Sequence, residues 1–214
     1  MSCSSSPPEP EPVMTEVHAV APDEMEAPIF LISWQKLMMW GFIITDALLF
    51  AGYLASYMFT RLASDVGWPA QSEIFDMNFI ALMTFTLITS SATMACAVKA
   101  ASEGDRKLTR RYLLLTILIG TAFLGMQAIE WSHFIGDGAR LTGNPWGASG
   151  FSAYFFMMTG FHGTHVLIGV VILLITFLRT TPERLIADKV EVAGLYWHFV
   201  DLVWVFIFGC FYLL

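Results

Sequence analysis

A chain of 214 residues with 56% hydrophobic and 14% charged side chains, at a mean hydropathy of +0.63, lies outside the usual composition of soluble proteins. Those carry about a quarter charged residues. The net charge of −7 offers no basic surface for nucleic acid, and the three scattered cysteines form neither a disulfide framework nor a C-x-x-C redox motif.

The first element, residues 1–28 ("MSCSSSPPEPEPVMTEVHAVAPDEMEAP"), holds Pro, Ser and Glu but no Lys, Arg or apolar run. It cannot bury enough surface to offset its ordering entropy, so a disordered acidic tail is expected. A basic n-region and an apolar h-region are both missing, so it does not read as a secretory signal. Residues 29–214 then predict an all-α domain, a polytopic membrane bundle of five transmembrane helices. Its apolar runs fall at about 37–59, 77–100, 112–135, 151–178 and 192–214, each near the roughly 20 residues needed to cross a bilayer.

The joins between these runs set an expected orientation. The second loop carries Lys99, Arg106, Lys107, Arg110 and Arg111; the fourth carries Arg179, Arg184 and Lys189. Only Arg61 and Arg140 fall on the other side, so the positive-inside rule predicts a cytoplasmic N-terminus and a periplasmic C-terminus. The third loop, "GDGARLTGNPWGASG", has the Gly and Asn-Pro content of a turn. No inverted repeat of a transporter type is visible. The seven tryptophans mostly fall near the predicted boundaries, as interfacial belts do, and none is assigned to electron transfer.

Ionisable groups inside a membrane are costly and mark sites. Asp46 interrupts the first span in "FIITDALLF", and no basic residue is expected at its depth. Glu130 and His133 end the third in "MQAIEWSHF", His162 and His165 lie in "GFHGTHVLIG", and Glu191, His198 and Asp201 occupy the fifth. The i,i+3 spacing of His162/His165 and of His198/Asp201 puts each pair on a shared stripe, and packing of spans four and five would gather them into one polar cluster. Such histidines suit a metal or haem site, a proton relay, or inter-helix and lipid-holding contacts. With no Cys or carboxylate at ligand spacing, the last is preferred. Five histidines, His18 in the tail among them, are too few for a haem–copper centre, and neither C-x-x-C-H nor G-x-G-x-x-G occurs. No catalytic residue and no metal site is therefore assigned to this chain.

"TGFHGTHVLIG", followed about thirty residues later by "YWHFVDLVWVFIF", resembles the signature of subunit III of the haem-copper terminal oxidases. "EGDRK" and "QAIEW" resemble the same family in the same order, from about Trp34 onward. Full-length members have seven helices in a V, two in one arm and five in the other. This chain resembles a short bacterial form that keeps the last five, with another subunit filling the missing arm or the lipid-holding cleft left open.

The resemblance implies a subunit that binds no haem or copper itself. It would hold phospholipid, bind subunit I directly, and lie beside subunit II in the bacterial inner membrane. There it would stabilise the subunit that reduces oxygen and pumps protons, and would sustain proton uptake. Many members carry a carbodiimide-reactive Glu in the first of these helices; here Asp46 stands in its place. Asp46 and the five-helix form resemble quinol-oxidising relatives, whereas "GFHGTHV" and "EGDRK" resemble the cytochrome c oxidase branch, toward which the balance leans. The accessory subunit of a nitric oxide reductase and an autonomous proton-coupled transporter are the remaining alternatives.

Overall fold

The computed structural model describes residues 33–64, 68–69, 74–180 and 186–213; the expected tail at 1–28 lies outside these. Five long helices follow one another: α1 (Trp34–Ala63), α2 (Met77–Ser102), α3 (Arg106–Gly136), α4 (Ser149–Arg179) and α5 (Ala187–Ile207). The last continues as a π-helical turn, Phe208–Leu213. All five are long and apolar enough to cross a bilayer. The chain is an all-α, multi-pass membrane protein, as its composition requires.

The helices outrun the predicted spans. Thus α1 runs from Trp34 to Ala63 rather than from 37 to 59, and α3 begins at Arg106 rather than at 112. Hydropathy registers only the hydrocarbon part of a helix. Its polar ends, such as Gln35, Lys36 and Arg61, continue through the headgroup layer. Thirty residues span about 45 Å at 1.5 Å per residue, the full bilayer with its headgroups.

Local chemistry sets the joins. Gly104 takes φ 78°, a left-handed conformation that glycine adopts without a Cβ penalty, and the N–H of Asp105 donates to the Ala100 carbonyl at 3.0 Å. The Asp105 carboxylate then caps α3 by accepting from the Leu108 N–H at 2.9 Å. "EGDRK" is thus a two-helix turn. Arg110 reaches across to the end of α4, donating to the carbonyls of Phe177 and Thr180 with its guanidinium 4.4 Å over the Phe177 ring. A cation there satisfies orphan carbonyls and meets the negative end of the helix. In the third loop, Asn144 accepts from the Trp146 N–H at 2.9 Å and donates to Ala148 O at 2.6 Å, closing the turn.

Helices α2, α3, α4 and α5 form a closed ring, each packing on the next, while α1 lies outside against α5 and α4. Burial follows: 56% of the apolar window of α5 is buried, against 11% for α1. Trp197 sits at the centre of the ring. Its indole N–H donates to Ser90 Oγ of α2 at 3.0 Å, and its ring lies on Gly120 of α3 and Gly169 of α4. A Cβ at either glycine would come within 3 Å of the indole. Trp204, one step further along α5, donates to Thr84 Oγ1 at 3.0 Å. Both indoles are fully buried, so these two tryptophans belong to the bundle core, while Trp34 and Trp40 stay exposed on α1 as an interfacial belt does.

Candidate functional site

The ionisable residues expected to gather between spans four and five are distributed over separate sites. His162 and His165 share a stripe of α4, but an i,i+3 step turns about 60° around a helix. That angle is enough to send them to different neighbours. His162 faces inward, fully buried, and its Nε2 donates to the Val200 carbonyl of α5 at 3.2 Å. Its ring lies edge-on to Phe123 and tilted against Trp204. His165 faces α1.

There the structure corrects the expectation that Asp46 has no basic partner. Asp46 lies 12 residues into α1, about 18 Å, and His165 lies 14 residues from the end of α4, about 21 Å. These two helix ends lie on the same side, so the groups meet at one depth. His165 Nε2 is 3.3 Å from Asp46 Oδ2, off the axis of a well-aligned hydrogen bond, and both residues are buried.

The other ring nitrogen fixes the tautomer. His165 Nδ1 lies 2.9 Å from the Phe161 carbonyl, which can only accept, so Nδ1 carries its proton. A proton shared between Nε2 and Asp46 would sit either on the carboxyl or on the imidazole, and either placement would leave the pair neutral overall. Tyr196, which sequence reasoning passed over, donates to the His165 carbonyl at 3.1 Å and packs on Phe42 of α1. A buried tyrosine hydroxyl usually finds a partner, and that was the available signal.

Glu130 forms a second site with Tyr212, another residue not singled out from sequence. The phenol donates to Glu130 Oε1 at 2.8 Å, while the buried Oε2 has no hydrogen-bond partner among the described residues. Glu130 borders a cavity of about 500 Å³ that His133, Asp76 and Asp137 also line. His133 is exposed rather than part of a buried cluster. Glu191 is likewise no part of one: half-exposed near the start of α5, it pairs with Lys36 of α1 at 2.7 Å.

The third site lies on the α2–α5 seam. Ser91 Oγ is 2.6 Å from His198 Nδ1 and also faces Asp201, whose two buried oxygens have no partner of hydrogen-bonding geometry among the described residues. The four histidines of the helices thus serve different neighbours. No three His, Cys, Asp or Glu side chains among the described residues converge as metal ligands would. What the arrangement supplies is proton-bearing and hydrogen-bonding groups at membrane depth.

A family model described as Cytochrome c oxidase subunit III matches residues 30–214. The chain is 33% identical to a protein of Staphylococcus aureus named Probable quinol oxidase subunit 3, over 84% of this chain and 88% of that one. It is 31% identical, over the same shares, to the protein of that name from Staphylococcus saprophyticus. The match covers all five helices and the three polar sites between them, and the chain belongs to the cytochrome c oxidase subunit III family, as a membrane subunit of a multi-subunit haem-copper oxidase.

Proposed function

We propose that this chain is the non-catalytic subunit III of a bacterial respiratory oxidase that reduces oxygen to water. In this reading it sits in the inner membrane against subunit I, with subunit II nearby and phospholipid bound. Haem and copper belong to the partner subunits. The chain steadies subunit I during turnover and supports its proton uptake. The observation that carries the last point is the Asp46–His165 pair: a carboxyl and an imidazole 3.3 Å apart, buried at mid-membrane and able to share one proton, at the position where the family resemblance places a reactive carboxylate. A lone ionised carboxylate at this depth would be costly, whereas a pair that exchanges its proton internally is not.

For the electron donor we keep cytochrome c, on the "GFHGTHV" and "EGDRK" motifs. A quinol is the second reading, favoured by Asp46 and by the names of the staphylococcal relatives. The test is purification of the native complex in mild detergent through a tag on this chain. A haem-bearing subunit in the eluate, consuming oxygen with reduced cytochrome c, is the expected result. Oxygen consumption with a quinol alone would transfer the chain to the second reading. A colourless chain from membranes that contain the oxidase would overturn both.

A further inference from the structure

Glu130 has a feature that its bond to Tyr212 does not explain. Oε1 accepts from the phenol, while Oε2 is buried with no hydrogen-bond partner among the described residues. The residue is 5% exposed, yet it lines the cavity of about 500 Å³ between the start of α2 and the end of α3. A buried carboxyl oxygen left unsatisfied is costly, and water in an adjoining polar cavity removes that cost. At about 30 Å³ per molecule, the cavity has room for several waters.

Depth and lining say which water that is. Glu130 lies six residues before Gly136, about 9 Å from the end of α3. This helix is about 46 Å long against roughly 30 Å of hydrocarbon, so Glu130 stands near the hydrocarbon boundary. Between it and the helix end the same cavity is lined by His133, one turn along the same stripe, and by Asp137. Asp76, at the start of α2, lines it too, and all three are exposed. Tyr212 of the π-helical turn completes the titratable groups around Glu130, and Phe155 of α4 and Trp204 of α5 pack against that phenol. A buried carboxyl is thus joined to an exposed, polar rim by a cavity wide enough for water.

We propose that this cavity is an aqueous inlet through which Glu130 exchanges a proton with the water beyond the end of α3. The proton leaves the Glu130 carboxyl for cavity water, which passes it to the His133 imidazole and so to bulk; uptake reverses the path. An imidazole suits the rim because it accepts on one nitrogen and releases from the other. Tyr212 keeps its hydrogen bond to Oε1 throughout and stabilises the carboxylate left behind. The site is distinct from the Asp46–His165 pair, which lies about 18 Å from the opposite end of the bundle.

The test uses sealed native membrane vesicles and a quaternary-ammonium carbodiimide, which does not cross the bilayer, with taurine to trap the activated carboxyl. Peptide mass spectrometry reads Glu130, exposed Asp137 as the marker of the accessible face, and buried Asp201 as the control. Glu130 should be labelled in the same vesicle orientation as Asp137, and several-fold more than Asp201. Labelling of Asp137 without Glu130, or equal labelling of Glu130 and Asp201, would overturn the inlet. This arm reads the unaltered chain, so it decides the question even where a variant does not assemble. Infrared difference spectra then follow the proton. The carboxyl band that Glu130→Gln removes should shift within seconds of transfer to D2O, and His133→Phe, at an exposed position, should slow that shift several-fold. A band that stays unshifted for hours defeats the exchange, and an equally fast shift in His133→Phe defeats the part given to His133.

Discussion

At the scale of single residues, the proposed part in proton uptake rests on Asp46 and His165, which neither hydropathy nor motif reading pairs. Asp46→Asn keeps the shape and removes the carboxyl that can take up and release a proton. The complex should therefore assemble normally but take up protons and consume oxygen more slowly, and should lose activity sooner during sustained turnover. Loss of assembly in that variant would make the pair a structural contact alone. Tyr212→Phe probes the second site: removing the donor to Glu130 Oε1 should cost about 0.6 kcal/mol, and at most about 1.7, in reversible SDS unfolding, as inter-helix hydrogen bonds in membranes do. The sequence made the ionisable residues visible, because each breaks an apolar run. Their partners were not legible. Asp46 and His165 stand more than a hundred residues apart, and their meeting depends on the offset between α1 and α4, which no local pattern encodes. The His162/His165 spacing suggested a joint site, yet the 60° between them falls across the seam where α1 and α5 meet α4.

At the scale of helices, close approach is set by glycine against indole. Gly120 and Gly169 both meet the Trp197 indole, with a Cβ at Gly120 only 2.5 Å from the ring. Gly120→Ala overpacks a fully buried site and should destabilise the bundle by about 1–3 kcal/mol. Gly41→Ala, on a stretch of α1 with nothing within 4 Å, should leave the unfolding midpoint unchanged or raised slightly. Equal effects of the two substitutions in the same assay would show that helix propensity, not packing, governs. The five helices themselves were legible because a 20-residue apolar run has few alternatives in a bilayer. The burial of Trp197 and Trp204 was not, since an indole in a membrane helix has the same local signature at an interface and in a core. Only the glycines of other helices distinguish the two.

For the whole molecule, the ring of α2, α3, α4 and α5 and the attached α1 differ in what holds them. The ring closes on itself through Trp197, Trp204 and a cluster of phenylalanines. In that cluster Phe75 stacks on both Phe134 and Phe155 at 5.3 Å. By contrast α1 joins the ring along one side only, through contacts that include the Asp46–His165 pair, Lys36–Glu191, the rings of Phe42, Phe50 and Tyr57 on Tyr196, Phe161 and Phe211, and Ser56 and Thr60, which share the Tyr154 hydroxyl at 2.8 Å. Polar contacts of this kind contribute about a kilocalorie each within a membrane, and the apolar surface of α1 is solvated almost as well by lipid as by protein. Unfolding should therefore be staged. In hydrogen-exchange mass spectrometry of the chain at rising SDS mole fraction, peptides from α1 should lose protection before those of α2 and α3. Asp46→Leu, which leaves His165 without its partner, should widen the gap by lowering the first step and leaving the second in place. If α1 and the ring instead lose protection together in both proteins, the five helices form one cooperative unit, and the contacts along α1 hold it as firmly as the ring holds itself.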